Sequence, residues 1–140
     1  MTAANSGSAN AFSSAASRFA DLNAIAMFAL GPYRKDLPRG RSGEYVALTR
    51  KFMGQFMAQY ASKFSGNGIV ITSCAGNIIG TKLSTGQTLT FRLRKTGSNY
   101  RVEDVSVSSV WLAIALRNKF TGVISQNNGN IDALMSWLGN

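Results

Sequence analysis

The run GQTLTFRLRKTGSNYRVEDVSVSSVWLAIALRNKF, residues 86–120, constrains this chain more than any other. In its first half Leu89, Phe91 and Leu93 alternate with Thr88, Thr90, Arg92 and Arg94. Successive side chains on a strand point to opposite faces, so one face is apolar and the other polar. Thr96-Gly97-Ser98-Asn99 has the residues that tolerate a tight reversal, so a second strand returns from it. Val110 to Leu116 is then apolar on every side and is expected to form a helix that cannot face water. A greasy sheet face and a greasy helix must bury each other or enclose something else.

The flanking segments favour an α+β arrangement. Helical spacing is expected from Phe12 through Phe19, Leu22, Ile25, Ala26, Phe28 and Ala29, with Ser13 or Ser14 as a cap and Gly31-Pro32 as the stop. A basic connector, Leu37-Pro38-Arg39-Gly40-Arg41, leads to Ser42, which reads as an N-cap with Glu44 in the first turn. Tyr45, Leu48, Phe52, Phe56, Tyr60 and Phe64 then repeat at three- and four-residue intervals, and Met53 and Met57 widen the stripe. Such a stripe serves as a core face or lines a site for a flexible apolar ligand, and it can do both. Gly66-Asn67-Gly68 closes this helix. Ile69–Ala75 and Ile78–Ser84 read as strands joined through Gly76-Asn77, which with the two later strands gives a four-stranded antiparallel meander. Asn130 caps a final helix bearing Ile131, Leu134, Met135 and Leu138, with Asp132 in its first turn. The expectation is a curved sheet with helices on one face enclosing an apolar pocket: one domain over residues 11–140, after a disordered lead-in at 1–10.

The chain has 140 residues, 15 Lys+Arg, six Asp+Glu and no histidine, for a net charge of +9. The absence of histidine removes the usual general base and the commonest metal ligand. The excess charge favours an anionic partner: lipid surface, nucleic acid or acidic protein. Cys74 is the sole cysteine and lies in an apolar strand pattern, which predicts a small buried hydrophobe. MTAANSGSANAF has neither a basic n-region nor a hydrophobic stretch, so it is not an intact signal peptide. No run reaches the length of a membrane-spanning helix.

Glu103 and Asp104 are adjacent carboxylates, but neighbours on a strand face opposite ways and do not converge on a substrate. With a simple hairpin, positions summing to 195 pair, so Glu103 faces Arg92 across the strands. Asp104 then falls opposite Phe91 on the apolar face, where an unpaired carboxylate is costly. It needs an Arg, Lys or backbone N–H partner, or a bulge that turns it outward. Ser108 or Ser109 reads as the N-cap of the following helix. No catalytic residues, metal site or cofactor is expected.

The order of these segments resembles the MlaC/toluene-tolerance family of periplasmic phospholipid-binding proteins. The resemblance is carried by Val102, Asp104 and Val105 in the strand, Arg117 and Phe120 in the helix, and Asp132, Ala133, Leu134 and Leu138 in the last helix. Upstream, Phe28, Leu30, Gly31 and Tyr33 match a further segment, and together these span roughly residues 19–138. Ser109, Val110 and Trp111 replace the family's usual Gly-x-Ser, and the meander is compact, in the manner of the hopanoid-associated branch. The resemblance implies a non-enzymatic carrier that shuttles phospholipid or a hopanoid-type lipid between an inner-membrane ABC/MCE-type transporter and an outer-membrane acceptor. On that reading Phe52, Met53, Phe56, Met57, Tyr60, Leu89, Phe91, Leu93, Val102, Trp111, Leu112, Ala115, Leu116 and Phe120 line the lipid cavity. Arg92, Arg94 and Arg117 stand at the head-group rim. A basic nucleic-acid-binding module and a ligand-free scaffold are the competing readings. The first lacks a basic groove-reading helix, and the second predicts a fully packed interior.

Overall fold

The computed structural model describes Arg18 and residues 20–59 and 68–140, and its architecture is α+β. Helix α1 (Leu22–Ala29) leads through two 3₁₀ turns, Gly31–Asp36 and Arg39–Arg41, into α2 (Ser42–Gln59). Strands β1 (Ile69–Ala75), β2 (Ile78–Leu83), β3 (Thr88–Thr96), β4 (Asn99–Val107) and β5 (Val110–Trp111) follow, then α3 (Leu112–Gln126) and α4 (Ile131–Gly139). The strands lie in sequence order, each antiparallel to the next, as an open curved sheet of five rather than four. The lead-in, the expected helix start at Phe12 with its Ser13 or Ser14 cap, Phe19, Tyr60, Phe64 and the turn at Gly66-Asn67 lie outside the described residues.

Helix α1 begins later than periodicity suggests. Ala20 forms a parallel bridge with Val102, and the Asp21 N–H donates to the Val102 carbonyl at 3.1 Å. The helix starts only after Asp21, whose carboxylate accepts from the Ala24 N–H at 3.2 Å as a side-chain cap. Gly31 ends it with φ +55°, and Pro32 opens the 3₁₀ turn that follows. Ser42 is already helical, at φ −63°, and its hydroxyl donates back to the Arg39 carbonyl, so it is not the expected cap.

The β3–β4 hairpin keeps the 195 sum from Thr96↔Asn99 to Leu93↔Val102. A bulge then inserts Glu103, and Arg92 pairs with Asp104 instead of Glu103. The extra residue removes Asp104 from the apolar face and restores alternation for Val105 and Val107, which pair with Phe91 and Leu89. The sequence conflict at Asp104 is thus resolved by the backbone.

The apolar helix also starts later than expected. Ser108 and Ser109 both have positive φ, 49° and 71°, and form a two-residue turn that folds Val110–Trp111 back onto β4. Neither serine caps α3. Ser108 Oγ accepts from Gln87 Nε2, and the α3 N-terminus is served from outside the segment by Asp104.

Buried apolar residues form two clusters among the described residues. The larger gathers the four helices around Leu30, Tyr45, Phe120, Ile124, Leu134 and Leu138. The smaller lies on the sheet, where Leu83 and Leu89 are packed by Phe91, Val107 and, from α2, Met57. The Tyr45 hydroxyl donates to the Ala26 carbonyl at 2.6 Å and ties α2 to α1, and burial raises its pKa well above the ordinary phenol value. Arg41 joins Glu44 at 3.2 Å and also Asp132, fastening the start of α2 to the start of α4. Cys74, expected to be buried, is exposed on β1, because all seven residues of that edge strand are exposed.

Candidate functional site

Helices α2 and α3 both contribute walls to a pocket. Phe52 and Phe56, one turn apart on α2, face Leu112, Ala115 and Leu116 on α3, and Trp137 of α4 closes the end. The space between them is a pocket of about 350 Å³. Phe52 anchors its wall, with its ring 5.1 Å from Trp137, 5.7 Å from Phe120 and 6.2 Å from Phe56. Phe52 is stacked on Phe56, tilted against Trp137 and edge-on to Phe120, and such contacts hold aromatic walls in fixed orientations. Gln55, Gln59 and Lys119 form the exposed polar side of the same pocket. The Lys119 ammonium lies 5.6 Å from the centre of the Trp137 ring.

Five of the residues singled out from sequence meet here: Phe52, Phe56, Leu112, Ala115 and Leu116. Phe120 lies directly behind them and is completely buried against Tyr45, Phe52 and Trp137. Met53 is buried in the helical cluster, which Val102 joins from β4. Met57, Leu89 and Phe91 belong to the sheet cluster, and Leu93 is half-buried farther along β3. Tyr60 lies outside the described residues. Trp111 sits in β5, outside α3, with the Arg92 guanidinium stacked 4.3 Å above its ring.

The three arginines expected at a rim are placed apart from this pocket. Arg92 lines a separate cleft of about 290 Å³ with Glu103, Asp104, Phe28 and Ile114. Arg94 comes within 3.8 Å of Asp21, and Arg117 covers the Phe28 ring at 5.1 Å. Among the described residues, the cation that borders the Phe52 pocket is Lys119. Trp137 and Lys119 escape a periodicity argument because neither belongs to the buried stripe of its helix. Trp137 did leave a signal: a large aromatic beside, not within, the Ile131–Leu134–Met135–Leu138 face needs a second surface to cover it.

Asp104 links β4 to the start of α3. It is 5% exposed, and its Oδ1 accepts from the Val105 N–H at 2.8 Å and the Ala113 N–H at 2.9 Å. A carboxylate at a helix N-terminus satisfies an otherwise unpaired donor and interacts favourably with the helix dipole. The contact ties the start of α3, the helix that carries Leu112, Ala115 and Leu116, to β4.

The profile of the MlaC protein family matches residues 2–140. No curated protein matches the chain. Among solved structures, the phospholipid-binding protein from Ralstonia solanacearum, solved in complex with a phospholipid, has a similar fold with a TM-score of 0.78. That likeness covers 97% of this chain and 83% of the other at 16% sequence identity. The match across nearly the whole length, on a meander followed by paired helices, means that the chain belongs to the MlaC family.

Proposed function

We propose that this protein is a non-enzymatic, periplasmic phospholipid-binding and transfer protein. The observation that carries the reading is the pocket of about 350 Å³ between Phe52 and Phe56 on α2 and Leu112–Leu116 on α3. Family membership and the phospholipid complex of the Ralstonia solanacearum protein support it. An acyl chain enters between these walls and continues toward Met57, Leu89 and Phe91, where methionine adapts to a flexible chain. Each sheltered methylene contributes about 0.8 kcal/mol, so the pocket competes with a bilayer only by covering many of them. Lys119, with Gln55 and Gln59, meets the head-group phosphate at the mouth. The loaded protein delivers its lipid between an inner-membrane ABC/MCE-type transporter and an outer-membrane acceptor.

The test is to extract the purified protein with organic solvent and identify the released lipid by mass spectrometry. A glycerophospholipid bound near one per chain is expected; a hopanoid-type lipid would keep the carrier reading and change the cargo. Protein that yields no lipid and takes none from fluorescent phospholipid vesicles overturns the proposal. Phe56→Asp places a charge in the pocket and should abolish uptake while the circular dichroism spectrum is retained.

A further inference from the structure

The basic connector, residues 37–41, lies outside the lining of the apolar pocket. The two 3₁₀ turns between α1 and α2 wall an open groove of about 940 Å³. Met27, Pro32 and Leu37 supply its apolar surface, and Arg34, Lys35 and Arg39 its cations. It shares no residue with the Phe52 pocket.

The charges in this region divide into two sets. Arg41 is committed internally to Glu44 and Asp132. Arg34, Lys35 and Arg39 are all exposed, and among the described residues none has a carboxylate within 4.0 Å. Asp36 is the sole acid between residues 34 and 39, so three uncommitted cations face one carboxylate. Cations held along a concave surface raise the local concentration of an anionic partner and steer its approach.

We propose that this groove docks an acidic peptide segment of a partner protein. Shape and charge together favour that occupant. Met27 and Leu37 are half-buried, where a flat membrane surface does not reach them but an inserted side chain does. A segment with interspersed acidic and apolar residues satisfies the cations and covers the apolar wall at once. Placing the surface away from the Phe52 pocket lets the protein be held by a partner without obstructing cargo.

The experiment measures binding of a fluorescein-labelled peptide rich in glutamate and leucine by anisotropy at low salt. Sedimentation with phosphatidylcholine–phosphatidylglycerol vesicles runs in parallel. The combined variant Arg34→Gln, Lys35→Gln, Arg39→Gln should weaken peptide binding about tenfold. A charge-matched control elsewhere on the surface, Lys51→Gln, Lys82→Gln, Lys95→Gln, should change it less than about twofold. Asp36→Asn should strengthen it about twofold, a gain that a misfolded variant cannot mimic. Equal losses in both triple variants would reduce the effect to net charge and overturn the proposal. So would an absence of peptide binding, or capture by the anionic vesicles without binding to the peptide.

Discussion

Asp104 turns its carboxylate away from the apolar face of β4 and onto the backbone of the segment that follows. Asp104→Ala removes the acceptor of two N–H groups in a buried place and should cost about 1–3 kcal/mol in urea denaturation. Asp104→Asn keeps one oxygen acceptor and should cost less than the alanine variant. The need for such a partner was legible in the sequence, since a lone carboxylate on an apolar face has to find donors. That the donor would be Ala113, nine residues on, was not, because it depends on the bulge at Glu103 and the turn at Ser108–Ser109. Gly31 is constrained twice: φ is +55°, and an added Cβ would lie 3.1 Å from both Arg117 Nε and Thr121 Cγ2. Gly31→Ala should therefore lose about 1–2 kcal/mol on backbone grounds, with crowding added to it. Tyr45 makes stability sensitive to alkali. Burial holds its phenol protonated in the folded state above the ordinary value of 10, where the unfolded chain has already lost the proton. The unfolded state then binds fewer protons, so stability falls as pH rises above that value, by up to about 1.4 kcal/mol per unit. Tyr45→Phe should flatten that alkaline slope while costing about 1 kcal/mol near neutrality for the lost bond to Ala26.

At the scale of elements, strands β2, β3 and β4 follow from alternation and turn chemistry, and so do α2 and α4 from helical spacing. The errors sit at junctions. Val110–Trp111 is as apolar as the helix it precedes, so composition assigns it to that helix, yet two left-handed serines fold it back as β5. Ala20 and Asp21 sit within a helical pattern, but pairing with Val102 draws them out of it. Strand β1 shows the reverse case, a strand correctly expected in which Cys74, expected to be buried, is exposed. Its β-branched residues give the strand, but it lies at the sheet edge with Val70 64% and Ile71 65% exposed. An edge strand is paired on one side and has fewer packed neighbours to keep it closed. Hydrogen exchange should accordingly be about tenfold or more faster in β1 than in β3, which is paired on both sides. Cys74 should react stoichiometrically with Ellman's reagent without denaturant, and a requirement for unfolding would contradict its exposure.

Across the whole molecule, the division of apolar surface into a helical cluster and a sheet cluster is the arrangement from which the proposed lipid path follows. Its contents differ in physical character from the groove at Arg34–Arg39, and salt separates the two. Apolar shelter is insensitive to screening, whereas attraction between exposed charges weakens as the Debye length shortens. Lipid uptake from neutral phosphatidylcholine vesicles should change less than about twofold between roughly 50 and 300 mM NaCl. Peptide binding at the basic groove should fall severalfold over the same range. A steep salt dependence of uptake from neutral vesicles would mean that surface charge, not the Phe52 pocket, limits loading.

What the sequence by itself determined is local: the period-two face of Leu89, Phe91 and Leu93, the helical stripe of Phe52 and Phe56, and the hairpin turn at Gly97. These depend on the geometry of one strand, one helix or one turn, which a few neighbouring residues fix. The order of its motifs also indicated the family, because each motif is short but their spacing is shared. Only the tertiary structure decided which apolar residues bury one another and which line a space. Phe120 and Leu116 lie one turn apart on α3, yet Phe120 belongs wholly to the interior while Leu116 also borders the pocket. Trp137 joins that wall through the packing of α4 against α2, and Asp104 bonds to the start of α3 across a bulge and a turn. Burial and enclosure depend on residues distant in the chain, and a one-residue insertion such as Glu103 redirects everything beyond it.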